Sequence, residues 1–349
     1  MKISLKAHKG LSIVSILLII KFLVVSSTAF ITWYTGRTQG DEIADDVTLD
    51  GYPLGGKTAS QVRTLLNEAA KQLYLPPLDY QVIDHEEYVV PARWGWRLNA
   101  DEIIRRLKRA PPGSRLQTEW SIIPPKKPTP QPPQYPVRAA AEGLDAVGFM
   151  INVAWGEQHL DGLLEVLSVH DASATFFIMG EWAKANPHWI QRLSEMGHQV
   201  AAHGHQDKHP ADYSRKQFAE DLKENKEFLK KHTNYAPQLY TPHYGELTSF
   251  MIEEAHAVNL TTILWTTDTA DWLYDDPKSM MDRVRPNISD GALILMHPTE
   301  NTADFLKKLF AYLKDQGLKG ETCEKLLSPL PPVPDDLFKM LEQLHNTAE

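Results

Sequence analysis

From Val147 onward the chain alternates short apolar runs with amphipathic helical stretches, and this alternation limits the possible folds more than any other feature. The runs read GFMINVA, ATFFIM, HQVAAH, PQLYT, TTILWT and ALILMH. Several are apolar almost throughout, the pattern of strands covered on both faces. Between them, one helical stretch opens at Ser214, with Gln217 at capping-box spacing, and carries Phe218, Leu222 and Leu229 on one stripe. Another carries Phe305, Leu309 and Leu313 and stops at Gly317. Repeated β-α units imply a parallel sheet, closed or open. In a barrel of this kind, functional residues gather at the C-terminal ends of the strands.

Upstream, composition divides the chain. In residues 1–40, Lys2, Lys6 and Lys9 precede an apolar run from Leu11 to Trp33 that is long enough to span a bilayer. Asp41, Glu42, Asp45 and Asp46 come after it. This asymmetry predicts a single-pass anchor in the cell membrane, with the remaining domains outside the cytoplasm. A cleaved signal peptide is the competing reading, because SSTAF offers small residues near a possible cut. Residues 41–120 predict a small α+β domain, with Thr58 and Gln61 at capping-box spacing and Leu65, Ala69 and Leu73 at helical intervals. Residues 121–143 contain IIPPKKPTPQPPQYP, in which seven of 15 residues are proline, and read as a semi-rigid linker. Residues 144–330 hold the β-α units. Residues 331–349 form a tail ending in a short helix, with no role assigned.

A net charge of −9 argues against nucleic acid as a partner, since phosphate backbones reward basic faces. Cys323 is the one cysteine, so no intrachain disulfide forms.

Polar and titratable residues stand at the end of several apolar runs. After the third come His203, His205 and His209; after the fourth, TPHYGE; after the fifth, DTADW; after the sixth, His297. His205 and His209 are four apart, a spacing that on a helical turn points both imidazoles one way and suits a single divalent cation. His203 is expected at the edge of the third strand, and Asp207 is expected to face solvent or cap the turn.

SATFFIMGEW, HQDKHP, YTPHYGE, DTADW and ILMHP, in this order, resemble the NodB-homology polysaccharide deacetylase family from about Val147 to Leu327. The resemblance implies an α/β fold, a distorted (β/α)7 barrel of NodB type, here preceded by the small α+β domain and an N-terminal transmembrane helix. It implies a divalent metal, usually zinc, that serves to remove acetyl groups from amino-sugar polymers such as peptidoglycan. It implies His205 and His209 as metal ligands, His297 as the acid for the leaving amine and Asp268 as the carboxylate behind it. Trp272, Tyr244, Pro242, His243 and Asp271 would line the sugar groove. The GYPLGG turn before a Thr-capped helix likewise resembles a small peptidoglycan-binding domain of membrane-anchored wall proteins, with a structural spacer as the alternative.

The pattern breaks at the first strand. The family ends it in Phe-Asp-Asp-Gly, the base and then a metal ligand; this chain has INVAWGE, which puts Ala154 and Trp155 at those positions. The family's Arg-Pro-Pro is replaced by Thr241-Pro242-His243. Loss of the aspartate and of its arginine partner together is physically coherent, because either alone would leave a buried charge unpaired. This combination resembles a sporulation-associated branch of the family with a degenerate first motif. Three accounts stay open. The chain hydrolyses acetyl amides of N-acetylated wall glycan, with Glu157 or His243 as substitutes; or it is an impaired member that binds glycan, its metal held weakly or lost; or it serves an envelope partner. Loss of a general base slows such hydrolysis by about 10²–10⁴-fold.

Overall fold

The computed structural model describes residues 41–346 apart from 84, 86, 234, 275 and 331–336. The expected membrane anchor lies outside these residues. Among the described residues, no helix is long and apolar enough to cross a membrane. The chain forms two compact units, and their boundaries differ from those expected.

The larger unit, Leu75–Trp96 with Ile122–Val333, is built on an eight-stranded parallel sheet. Its strands are β1 (Ala146–Val153), β2 (Thr175–Ile178), β3 (Gln199–Ala202), β4 (Leu239–Tyr240), β5 (Thr261–Thr262), β6 (Thr267–Asp268), β7 (Leu293–Met296) and β8 (Lys319–Glu321). Their order is β5-β4-β3-β2-β1-β7-β6, with β8 paired to the first half of β1. Against them pack α1 (Leu160–Val169), α2 (Gly180–Ala185), α3 (Pro187–Glu195), α4 (Arg215–His232), α5 (Met251–Ala257), α6 (Pro277–Val284) and α7 (Thr302–Asp315). The result is a curled parallel half-barrel of β-α units. The Ser214–Gln217 capping box expected at the head of α4 is present in both its bonds.

Strand parity sorts the core into two layers. Val147, Phe149, Ile151 and Val153 of β1 join the helix-side cluster, whereas Ala146 and Met150 join an inner cluster with Phe177, Ala201, Leu239, Leu293 and Leu295. Successive strand side chains point to opposite faces, so each inner residue predicts inward neighbours two positions on. Continuing the steps to the strand ends and beyond gives Asn152 and Ala154 from β1, His203 from β3, His243 from β4 and His297 from β7. These five residues line one cavity at the strand ends.

The proline-rich stretch is part of this unit, and not a free spacer between domains. Its Lys126 and Lys127 amides donate to Asp79 at 2.7 and 3.0 Å. Val137 bridges both Val89 and Ile263, and Ala139 bridges Ala292. The segment therefore pairs with the chain just after β5 on one side and just before β7 on the other, where the sheet path has no direct β5–β6 pairing. Proline lacks the N–H that a ladder needs, so the pairing starts at Val137, the first residue past Pro136. The hairpin Gln81–Ile83 with Tyr88–Val90, expected in the small domain, also belongs here, with the Val89 amide donating to the Pro136 carbonyl at 3.0 Å.

Among the described residues, the smaller unit comprises residues 41–74, Arg97–Ser121 and the C-terminal helix Leu337–Asn346. A three-stranded sheet, ordered Tyr52–Pro53, Thr48–Leu49, Arg115–Leu116, packs with the helices Ala59–Gln72 and Ala100–Arg109. The Thr58–Gln61 capping box is present. The tail, unassigned from sequence, supplies part of this core: Leu337 and Leu341 are buried beside Val62, Leu66 and Leu107. Each buried leucine contributes up to about 1.5–3 kcal/mol, so the tail helix is structural.

Candidate functional site

At the C-terminal ends of the strands lies a cavity of about 470 Å3. Asn152, Ala154 and Trp155 form its β1 side; His203 and Asp207 come after β3, His243 and Tyr244 after β4, and Trp265, Asp268, Trp272 and His297 complete the ring. Three of its aromatic side chains reach solvent: Trp155 is 45% exposed, Tyr244 55% and Trp272 56%. Isolated exposed aromatics are ordinary, but several around one cavity mark a binding surface.

His297 is the most firmly held titratable side chain of the rim. Its Nδ1–H donates to Asp271 Oδ1 at 2.9 Å, and its backbone amide donates to Asp271 Oδ2 at 2.6 Å. The Thr302 hydroxyl donates to the same carboxylate at 3.2 Å. Nε2 is thereby left as the nitrogen free for a ligand. The carboxylate behind His297 is thus Asp271, expected in the sugar groove, and not Asp268. The reason is the turn between them. Asp268 Oδ1 accepts from the Ala270 amide at 2.8 Å, and Ala270 has φ +50°, which swings Asp271 towards β7. Asp268 still lines the cavity, and burial raises its pKa. Two tryptophans flank His297: the Trp272 ring meets it edge-on at 5.0 Å, and the Trp155 ring runs parallel to it at 6.0 Å and 3°.

The β3–β4 side holds two neutral imidazoles. The rings of His203 and His243 lie 4.0 Å apart. Burial lowers the pKa of both, that of His243 to about 4. His203 Nδ1–H donates to the Thr241 carbonyl at 2.8 Å. Tyr244 sits in the left-handed region at φ +60°, an arrangement costing of order 1–3 kcal/mol. Its hydroxyl donates to Asp207 at 2.8 Å. Gly245 is next at φ +69°, where an added Cβ would come within 2.6 Å of the Trp265 ring, so only glycine fits. Pro242 lies between the two inward-facing residues of this strand end and is not among the lining side chains.

His205 and His209 are not brought together. The loop is not a helical turn: Gly204 takes φ +83°, and Asp221 of α4 accepts from the His205 and Gln206 amides at 2.7 and 3.2 Å. His205 is thereby packed against Gly180, with Nε2 3.2 Å from Glu224 and Nδ1 buried without a partner among the described residues. His209 lies in the open, stacked on Tyr244 at 3.9 Å, with Nδ1 3.4 Å from Glu246. Neither lines the cavity. Glu157 does not either; it accepts from the Trp182 indole at 3.4 Å.

Residues 144–263 match the polysaccharide deacetylase family. The chain carries a polysaccharide deacetylase domain. It is 27% identical over 238 residues to the uncharacterized protein YlxY of Bacillus subtilis, covering 68% of this chain and 75% of that one. It is 31% identical over 166 residues to the peptidoglycan-N-acetylglucosamine deacetylase PgdA of Listeria monocytogenes, covering 47% of this chain and 35% of that one. Among solved structures, a CE4 family pseudoenzyme from Bacillus anthracis superposes with a TM-score of 0.64 at 26% identity, covering 77% of this chain and 96% of that one. A mutant of it, described as having restored enzymatic activity, gives the same score.

The divalent metal implied for polysaccharide deacetylases does not fit the residues of this domain. The rim position expected to hold a ligand is Trp155, and neither member of the expected histidine pair lines the cavity. Among the described residues, no group of three or more histidine, cysteine or acidic side chains could hold an ion. Reading the histidines by spacing missed His203 and Asp207, which are also four apart and do line the cavity. The signal that finds His203 is strand parity, two residues beyond the inward Ala201.

Proposed function

We propose that the deacetylase domain is a glycan-binding relative of the enzymes, holding an N-acetylated amino sugar of the cell wall in its cavity without hydrolysing it. One observation carries this reading. The end of β1 presents Ala154 and then an exposed Trp155 whose ring runs parallel to His297, so an aromatic surface stands where the family's reaction needs two carboxylates. Flat aromatic faces suit the apolar faces of sugar rings, with a few polar groups fixing orientation. The likeness to a CE4 family pseudoenzyme supports it, as do relatives named for action on peptidoglycan. Among the described residues, buried Asn152 Oδ1 and His243 Nε2 in the cavity wall have no partner, a cost of about 1–3 kcal/mol each that a sugar amide or hydroxyl could offset after a small local rearrangement. The reading places the chain at the envelope, with the apolar stretch Leu11–Trp33 as its anchor.

A second reading is favoured by the His297–Asp271 pair, which is the arrangement a general acid requires. One experiment separates the two. The purified full-length chain is mixed with peptidoglycan, and both retention on the wall and released acetate are measured. Retention without acetate is expected. Acetate release that disappears in His297→Gln would establish hydrolysis and overturn the binding reading.

A further inference from the structure

Beside the cavity, and sharing Trp265 and Asp268 with it, lies a second cleft of about 300 Å3 whose other walls are Arg138, Thr266, Thr267, Arg283 and Asn287. Arg138 comes from the segment that pairs along the β5 and β7 edges, and its carbonyl is held by the Thr266 hydroxyl at 2.6 Å. The Arg138 side chain has no hydrogen-bond or ion-pair partner among the described residues, and its Nε is buried without one. Arg283, on α6, donates Nε to the Asp268 carbonyl at 2.8 Å and forms no ion pair among the described residues. Two guanidinium forks therefore line one small polar cleft with most of their N–H groups unspent. The one acid in its wall is Asp268, whose Oδ1 is taken by the Ala270 amide. One carboxylate against two guanidiniums leaves a net positive charge, in a chain whose overall charge is −9.

A guanidinium presents paired donors that match a carboxylate bidentately, and such charge-assisted bonds are about twice as strong as neutral ones. The cleft adjoins the cavity directly, so a sugar chain held by Trp155, Trp272 and Tyr244 would bring its next unit to the arginines. We propose that this cleft binds a carboxylate carried on the sugar next to the one in the aromatic cavity, so that the domain selects muramyl-type glycan over neutral amino-sugar polymers. The carboxylate is either a lactyl ether on the ring or the end of a peptide attached there. This inference rests on the glycan-binding reading and deepens it.

The test compares three oligosaccharides of equal length on the full-length chain by calorimetry: a chito-oligosaccharide, an alternating glucosaminyl–muramyl oligomer with free lactyl carboxylates, and the same oligomer carrying stem peptides. The expected result is at least about tenfold tighter binding of one or both carboxylate-bearing oligomers, a preference that shrinks with added salt. Whichever of them is preferred identifies the source of the carboxylate. Arg138→Gln with Arg283→Gln should reduce that affinity to the chito-oligosaccharide level and leave the chito-oligosaccharide itself unchanged. Arg283→Gln alone, at an exposed position, gives a partial loss should the double variant fail to fold. Equal affinity for all three oligomers overturns the proposal while keeping the glycan reading, and so does a preference that survives both substitutions. Binding of none overturns both.

Discussion

The two sides of the cavity are built on different principles. On the β7 side, His297 is fixed by hydrogen bonds: one buried carboxylate, Asp271, takes its ring N–H, its amide N–H and the Thr302 hydroxyl. On the β1 side, Ala154 and Trp155 offer no group that could take a proton or hold a cation, and Trp155 contributes only surface. A site retained for proton transfer would need both sides. One that grips a sugar needs a rigid polar anchor and an aromatic wall, which is what stands here. The first side should therefore be coupled to the fold, and the second to the ligand alone.

The largest effect expected from this contrast is on stability. Asp271→Ala leaves two partly buried donors of His297 without an acceptor, each worth about 1–3 kcal/mol, so a loss of about 3 kcal/mol is expected in denaturant unfolding. A loss below about 1 kcal/mol would mean that water replaces the carboxylate and that the β7 side is not a fold-coupled anchor.

Acid should reveal a comparable coupling on the β3–β4 side. His203 and His243 are neutral in the folded state because burial lowers their pKa values, as it does for His198, to about 4 in the latter two. The unfolded chain protonates its histidines near pH 6.5. It therefore binds more protons than the folded chain below that value, and stability present above pH 6.5 is lost as pH falls towards 4. Asp207 faces His243 at 3.7 Å and partly opposes the effect. His243 by itself accounts for a loss on the order of 2 kcal/mol between pH 7 and 5, read from denaturant midpoints. The loss should shrink in His243→Gln. A flat profile over that range would show that the pair is protonated without cost.

Trp155→Ala tests the other side. It should weaken oligosaccharide binding about tenfold, equivalent to about 1.4 kcal/mol, while moving the unfolding midpoint little, because the ring is half exposed. Weakened folding with unchanged binding would reverse the assignment of the two sides.

How much of this was legible depended on whether the deciding contact was local. The capping boxes at Thr58 and Ser214 are four-residue patterns and are present as written. The β-α alternation rests on apolar periodicity, and the titratable strand ends came with it. Contacts made across long sequence separations were not readable. Proline content marks residues 122–136 as extended but does not say that the residues just after them pair along the sheet. The apolar stripe of the tail does not name the small unit as its partner. In DTADW, two aspartates compete to back His297, and a positive φ at Ala270 decides between them.

The histidine loop is the sharpest case, and it yields the smallest expected effect. Spacing alone pairs His205 with His209, on the assumption of a helical turn. Asp221, sixteen residues from His205, instead caps the loop through two backbone amides, and Gly204 at φ +83° lets the chain bend so that His205 faces α4. His209 is left 55% exposed, with a weak contact to Glu246 and a stacked tyrosine. Surface substitutions away from buried features usually stay within about 0.5 kcal/mol. His209→Ala should therefore leave unfolding unchanged to within that margin and leave oligosaccharide affinity within about twofold, since Tyr244 keeps its own hydrogen bond to Asp207. Full-length chain prepared with zinc should also hold the same amount of metal, by atomic emission, with and without the substitution. A drop in bound zinc in His209→Ala would mean that the loop rearranges to bring the two imidazoles together. The contrast between the two sides of the cavity would then describe one state of a site that has another.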